Sequence, residues 1–470
     1  MSGLFSLLSS TSSALNAQSE AINVTGNNIA NVNNPNYSRE TVDFEPLTSV
    51  QTADGLQSTG MTVSVTQTRD SILDAMVRQE DSLTAGFNAQ QNVLQQAQAS
   101  LNESITNSST SAATSGTDTT TVTGLSAAID DFFNSFESLA ASPSDPTQAA
   151  SVVQQAGVLT DRFSQVDQNL AQVQDAATSS VAGNITTANG LLQQVAQLNG
   201  QIGSLETNSP GSAVQLRDQR EGDLETLAGL MPISVTESTN GEDQVTTTDT
   251  SGQPVSLISN GTVTNSLSFS GGVISAGTTA LGLSSGTMAG TLAAGTSVQD
   301  LRTSLDTLAG QIVTAVNSAY NPGGGGANFF AASGTTAATI AVDPSLTAST
   351  LQAGTGAPGD NSIALAVAAV ANQTFSTAGG DLIDGTISQS YGNTVAGVGQ
   401  ALATVTTQAT DQANVQTIVN NERSSESGVS IDEEMSNLVT YQRAYQASSE
   451  VFQVVDSMLS DLMTDLGSIT

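Results

Sequence analysis

Near the N-terminus, apolar side chains return every seven residues, at Leu8, Leu15, Ile22 and Ile29. On a helix that step lays down one narrow stripe, so the spacing predicts a helix over residues 2–31. The row three positions on, at Thr11, Gln18 and Thr25, is polar. The C-terminus keeps the same step through Ile431, Leu438, Tyr445, Phe452, Leu459 and Leu466, and Tyr441, Val455 and Leu462 supply a second row. Ser430 and Glu433 have the S-x-x-E spacing of a capping box at the start of that helix. Asp432, Glu433 and Glu434 place negative charge in its first turn, where the helix dipole favours it. Neither helix carries enough apolar surface to fold well alone. Two such stripes at opposite ends of one chain predict that they pack together, either as an antiparallel pair closing a domain or as an intermolecular coiled coil.

Between the ends the pattern changes several times. Residues 31–46 read as a loop, because Asn33-Asn-Pro-Asn36 is turn chemistry. Residues 62–68 alternate as a short strand does, and 70–104 form a Gln- and Ala-rich helix. A Ser/Thr/Gly stretch at 106–124 reads as a loop. Steps of three and four then run from Val152 through Val173 and from Leu192 to Leu205, giving helices over 125–230 with a turn at Asn208-Ser-Pro-Gly211. Past Met231-Pro232 the chain turns rich in Thr, Ser, Gly and Val in short alternating runs, which predicts a β-rich segment to residue 297. Helices resume at 298–319, after Gly359-Asp-Asn361, and from 382 to the end. The segment 321–330 is a Gly-rich loop closed by Phe329 and Phe330. The expected fold is mainly α, a discontinuous helical body closed by paired terminal heptad helices, with a smaller β-rich domain inserted.

Composition narrows the chemistry. At 470 residues the chain has room for about three domains. It holds 43 acidic and nine basic residues, a net charge of -34, and every basic residue is Arg. There is no Lys, His, Cys or Trp. That removes Ser-His-Asp triads, thiol nucleophiles, Walker A loops and structural zinc. The charge argues against nucleic acid or an anionic membrane as partner. The longest apolar run, residues 363–371, is too short to span a bilayer. The first positive side chain is Arg39, so the N-terminus lacks the basic region of a cleaved signal.

No motif for catalysis survives inspection. Asp249-Thr-Ser-Gly252 approaches an aspartic protease loop once, and such enzymes need two carboxylates sharing a proton. Gly323–Gly326 lacks the Lys of a phosphate loop. No metal or cofactor is expected, and a structural or interaction protein becomes the leading class.

Two segments carry a resemblance. The stretch Asn27-Asn-Ile-Ala-Asn31, with Asn28 inside it, is followed by Tyr37-Ser-Arg39. Near the other end stand Gly428-Val-Ser-Ile-Asp-Glu-Glu434 and Tyr441-Gln442-Arg-Ala-Tyr445-Gln-Ala447. These resemble the two halves of the signature of bacterial flagellar axial proteins, the rod, hook and hook-associated family. Interior motifs favour the hook-associated branch: Leu198-Asn-Gly-Gln-Ile202, Leu216-Arg-Asp-Gln-Arg220, Asn317 with Phe329-Phe330, and Gly359-Asp-Asn361. Arg217 and Glu221 depart from the family's commoner helix motif at its second and last residues. The alternatives are a hook or distal-rod relative, or an adhesin carried by the inserted region.

What the resemblance implies is a structural protein of flagellum assembly and motility. It would be exported by the type III route to the extracellular flagellum and would polymerise between hook and filament. Its partners would be further copies of itself in a helical ring, hook protein, a second junction protein on the filament side and an export chaperone. The chain would divide into an axial half at 1–45, helical body at 46–232, β-rich insert at 233–297, helical body at 298–428 and a second axial half at 429–470. The heptad residues would form the assembly interface, and the terminal helices would be loose before assembly, having little to bury against.

Overall fold

The computed structural model describes residues 2–46, 49–52, 55–58, 60–101, 124–207, 211–357 and 359–467. The elements in chain order begin with α1 (Ser2–Ala30), β1 (Glu40–Pro46), β2 (Ser49–Thr52), β3 (Gly55–Ser58), β4 (Met61–Gln67) and α2 (Ser71–Leu101). Next come α3 (Leu125–Ala141), α4 (Pro146–Glu206) and α5 (Val214–Leu230). The strands β5 (Ser234–Glu237), β6 (Asp243–Thr248), β7 (Pro254–Ser259), β8 (Thr262–Val263), β9 (Leu267–Ser270), β10 (Val273–Ala276) and β11 (Thr279–Ala280) follow. The chain closes with α6 (Gly286–Tyr320), α7 (Ser362–Val370), α8 (Ile387–Ser427) and α9 (Ile431–Gly467).

The residues fall into two compact units, both discontinuous in sequence. One is Met1–Thr84, Ile185–Gly286 and Gln412–Thr470; the other is Ala85–Asn184 and Thr287–Asp411.

In the first unit α1 packs on α9 and against β1 and β4. The terminal helices therefore pack together within one chain. The fully buried positions of α1 include Ala17, Ala21, Val24 and Asn28, while Leu8, Leu15, Ile22 and Ile29 are half-buried beside them. The buried row is thus displaced from the large-residue heptad, because small side chains let the backbone come close and the larger ones flank the contact. On α9, Val455 and Leu459 are buried, Leu438 and Phe452 half-buried, and Ile431 and Tyr445 exposed. The side chain of Leu466 lies outside the described residues.

Strand β1 pairs antiparallel with β4, from Glu40 opposite Gln67 to Pro46 opposite Met61. The reading of 31–46 as a loop is corrected here: only 31–39 is loop. β-Propensity is weak until a partner strand is present, and β4 supplies one. Strands β2 and β3 form a hairpin. The inserted region builds an antiparallel four-stranded sheet, β5-β6-β7-β8, and a three-stranded one, β11-β10-β9. The turn between β7 and β8 holds Asn260 and Gly261 at φ 50° and 64°. Both positive values suit an Asn-Gly two-residue hairpin. Strand structure ends at Ala280, and α6 starts at Gly286, not at 298. Residues 286–297 are Gly- and Thr-rich, which mimics strand composition, but burial of Met288 and Ala294 makes them helical.

The second unit has one apolar core. Its centre is aromatic: Phe132 lies 5.6 Å from both Phe329 and Phe330, and Phe329 also meets Phe136 and Tyr320 edge-on. Two helices cross at glycines in this unit. A Cβ on Gly290 would sit 1.9 Å from the Gly86 carbonyl oxygen, so neither helix could hold its place with a larger residue there. All of the predicted loop at 106–124 but Gly124, and most of the turn at Asn208–Gly211, lie outside the described residues.

Candidate functional site

The first unit brings the two terminal signatures to one place. Asn28 ends the buried row of α1, with 1% of its surface exposed. Its Oδ1 accepts from Tyr37 Oη at 2.8 Å and from the Glu40 backbone N–H at 3.0 Å. Its Nδ2 donates to the Glu40 carbonyl at 2.8 Å and to Glu434 Oε2 at 3.1 Å. Every hydrogen-bonding site of the carboxamide is used, which no other side chain of this size could reproduce.

Glu434 is the receiving end on α9. Its other oxygen, Oε1, accepts from Arg39 Nε at 2.8 Å. Arg39 reaches Glu433 as well, through Nη2 at 3.0 Å, and its backbone N–H donates to Ser427 O at 2.9 Å. Phe44 and Tyr441 stack tilted, centroids 6.0 Å apart. Burial, followed by the charges of Glu40, Asp218 and Glu434, pushes the Tyr37 phenol up, so Tyr37 stays a donor.

Helix α5 supports this lock with a second network. Arg217 grips Glu206 with two bonds of 2.8 and 2.7 Å and Glu237 with one of 2.7 Å. Asp218 Oδ1 accepts from Gln67 Nε2 at 2.8 Å and from Arg69 Nη2 at 2.9 Å. Arg220 pairs with Asp243 at 2.8 Å and donates to Asn199 Oδ1 at 2.8 Å and Gly241 O at 2.7 Å. Glu221 pairs with Arg78, and with Arg69 at 3.5 Å. Glu225 pairs with Arg423. The motifs Leu198–Ile202 and Leu216–Arg220 thus meet through Asn199 and Arg220.

The carboxyls at the edge of the network are unequally served. Burial, with repulsion from Asp218 and Glu20, raises Glu40 to about 7. Burial raises Asp218 to about 6 and Glu225 to about 7 against the pull of their arginines. Glu40 Oε1 and Asp218 Oδ2 have no hydrogen-bond partner.

The second unit holds the remaining motifs. Asn317 Oδ1 accepts from the backbone N–H groups of Phe329 and Phe330 at 3.0 and 2.9 Å, fixing the aromatic pair in the core. Asn361 Nδ2 donates to Ala140 O at 2.7 Å. Asp360 accepts the backbone N–H groups of Ser362 and Thr355, which hold its carboxyl down at about 2. Each motif makes contacts that hold the local fold.

Several predicted residues stand elsewhere. Asn27 is exposed, and Asn31 only donates back to Asn27 O at 3.0 Å. Gln442, Tyr445 and Ala447 are exposed on α9. Ser430 holds the N-cap position, its carbonyl accepting from Glu434 N–H at 2.9 Å. The Glu433 carboxylate pairs with Arg39 in place of closing a capping box. Arg69, Arg78 and Arg423 were not predicted, and Arg220, Asp218 and Glu221 entered only through the Leu216–Arg220 motif and its neighbour. The available signal was the crowding of charge at 217, 218, 220 and 221, which covers too much of α5's circumference to stay in water.

Among the described residues no group of His, Cys, Asp or Glu is arranged to hold a metal ion, and no helix is long and apolar enough to cross a membrane.

Comparison with known proteins gives a consistent picture. Residues 116–330 match the family model of the flagellar hook-associated protein FlgK helical domain. Residues 421–465 match the flagellar basal body rod FlgEFG protein C-terminal family, and residues 8–37 the flagella basal body rod protein family. Flagellar hook-associated protein 1 of Bacillus subtilis is 26% identical over 251 residues, 51% of this chain and 46% of that protein. The Escherichia coli protein of the same name is 24% identical over 230 residues, 48% of this chain and 39% of its own length. The chain thus spans less than half the length of these relatives. A solved structure of the flagellar hook junction protein FlgK from Burkholderia pseudomallei is 20% identical, with a TM-score of 0.45 over 55% of this chain and 46% of that one. In chain order the sequence is similar to a flagellar rod N-terminal segment, to the helical domain of the hook-associated protein FlgK and to a flagellar rod C-terminal segment.

Proposed function

We propose that this chain is a structural junction protein of the bacterial flagellum, polymerising between hook and filament so that the filament can attach. Its role is mechanical, not catalytic. The observation that carries the reading is the lock of Asn28, Arg39 and Glu434, which fastens the rod-type N-terminal segment to the rod-type C-terminal one. A subunit so closed presents both termini as one body, the form in which a helical assembly can use them. Heterologous contacts between copies then build a ring at the hook tip. Hook protein lies on one side, and a second junction protein on the filament side. The chain reaches the outside of the cell by the flagellar export route with the help of a chaperone. In this reading 1–45 and 429–470 are the two axial halves, 46–232 and 298–428 the helical body, and 233–297 the inserted surface region.

Electron microscopy of cells lacking the protein, with an assay of flagellin in the medium, tests the proposal. Hooks without filaments, with flagellin shed unpolymerised, are expected. Loss of the hook itself would move the protein to the rod or hook, and intact filaments would refute the junction role.

A further inference from the structure

Seven of the nine arginines, at 39, 69, 78, 217, 220, 302 and 423, sit in ion pairs, and Arg162 donates to Gln165. Among the described residues Arg443 alone has neither an ion pair nor a hydrogen bond, and it is exposed on α9. In a chain without lysine it is, within the described part of the first unit, the one cation without an ion pair; Arg162, the other arginine without one, belongs to the second unit.

The first unit also holds an uncommitted anionic surface. A groove of about 540 Å³ runs between the C-terminal end of α1 with its following loop and one side of α5. Its walls are polar. Asp223 lines it, half-buried, with Oδ2 lacking any hydrogen-bond partner. Asp218 lines it too, nine-tenths buried, with Oδ2 likewise unpartnered, although Oδ1 is held by Gln67 and Arg69. The side-chain amides of Asn27, Gln215 and Gln219 face the groove and make no hydrogen bond within the described chain. No arginine lines it. A carboxylate without a cation, flanked by free amide oxygens, suits a planar group with several N–H donors.

Resting on the assembly reading above, we propose that this groove receives Arg443 of a second copy of the chain. The guanidinium would lie against the Asp223 carboxylate, in a groove that no arginine of its own subunit lines. The contact is head-to-tail: α9 of one copy meets α1 and α5 of the next, which propagates instead of closing a dimer. It also gives a purpose to the low basic count. A surface of strong negative charge keeps free chains apart, and the cation on α9 then sets the register in which they meet.

The absence of cysteine makes a direct test clean. The wild-type chain and an Asp223→Cys/Arg443→Cys variant are each expressed as the sole copy in cells, flagella are isolated and oxidised with diamide, and the chain is followed on non-reducing gels. The variant is expected to run as a ladder of dimers and larger species that collapses on reduction, while the wild type stays monomeric. Arg443→Asp is expected to lose the chain from isolated flagella, and Asp223→Arg with Arg443→Asp to restore it. A double-cysteine variant that incorporates but runs only as monomer overturns the contact while leaving the junction role standing. So does normal incorporation of Arg443→Asp. Failure of the wild-type chain itself to restore filaments overturns the junction role, and this contact with it.

Discussion

Deleting the Asn28 side chain is the sharpest test of the lock. Asn28→Ala removes four hydrogen bonds at once. Tyr37 sits at a partly open edge and can turn to water. The Glu40 N–H, the Glu40 carbonyl and Glu434 Oε2 are buried and cannot do so readily. Leaving a buried polar group unpaired costs about 1–3 kcal/mol, so three such groups set a range of roughly 3–9 kcal/mol. Glu434 keeps Arg39, and a small cavity admits some solvent, which brings the expected loss to about 3–5 kcal/mol. Against a domain stability of about 5–15 kcal/mol that is enough to release α1 from α9 locally. The control is one position away. Asn27 is exposed, and Asn27→Ala should stay within about 0.5 kcal/mol. Amide hydrogen exchange read over residues 37–44 and 427–441, with urea unfolding of the same samples, compares the two. Faster exchange confined to those segments in Asn28→Ala is expected. Equal protection in the two variants would refute the lock as an energetic feature.

Three further outcomes follow from the same geometry. Glu40 has a folded pKa near 7 against an ordinary 4.5, so the folded chain binds the proton more tightly and stability falls as pH rises from about 4.5 through 7; urea midpoints across that window should flatten in Glu40→Gln, and identical slopes in variant and wild type would contradict the burial argument. Arg220→Ala leaves the Asp243 carboxylate and the Gly241 carbonyl without their donor, while Asn199 Oδ1 keeps the Asp243 N–H, and should cost about 3–5 kcal/mol, read as a lower urea midpoint, while Arg220→Lys should recover only part of it because one ammonium cannot span three acceptors. Gly290→Ala drives a methyl into the Gly86 carbonyl and should destabilise by more than about 2 kcal/mol in thermal unfolding, whereas Gly295→Ala, with open space at its Cβ, should be neutral or better.

Much of the helical frame was legible in the sequence. Periodicity located α1 and α9 to within a few residues because long amphipathic helices repeat their signal many times, and Gln- and Ala-rich composition located α2. It failed where tertiary structure decides. β1 has weak strand character until β4 lies beside it, and the start of α6 reads as strand composition until Met288 and Ala294 are buried. The stripe on α1 was displaced for a related reason. Hydrophobic periodicity weighs Leu and Ile heavily, yet the closest contact goes to Ala17, Ala21 and Asn28, whose small or fully bonded side chains let α1 approach its neighbours.

The site was half legible for a different reason. The signature at Asn27–Arg39 and 428–447 is a local string, and local strings survive reading one residue at a time. Its meaning is a pairing across some four hundred positions: Asn28 and Arg39 with Glu434. No spacing rule carries that. The arginines are the better guide once seen in place. Seven of nine are bound to carboxylates, and six of those lie in the unit that holds both termini. Ion pairs of this kind add little net stability over apolar packing, but they penalise any misaligned arrangement, because a displaced Arg would leave a buried carboxylate bare. A chain that must bring its two ends into one register gains from that penalty. In this molecule Arg39 joins the two ends through Glu433 and Glu434, and Arg423 ties the approach to α9 to Glu225 of α5.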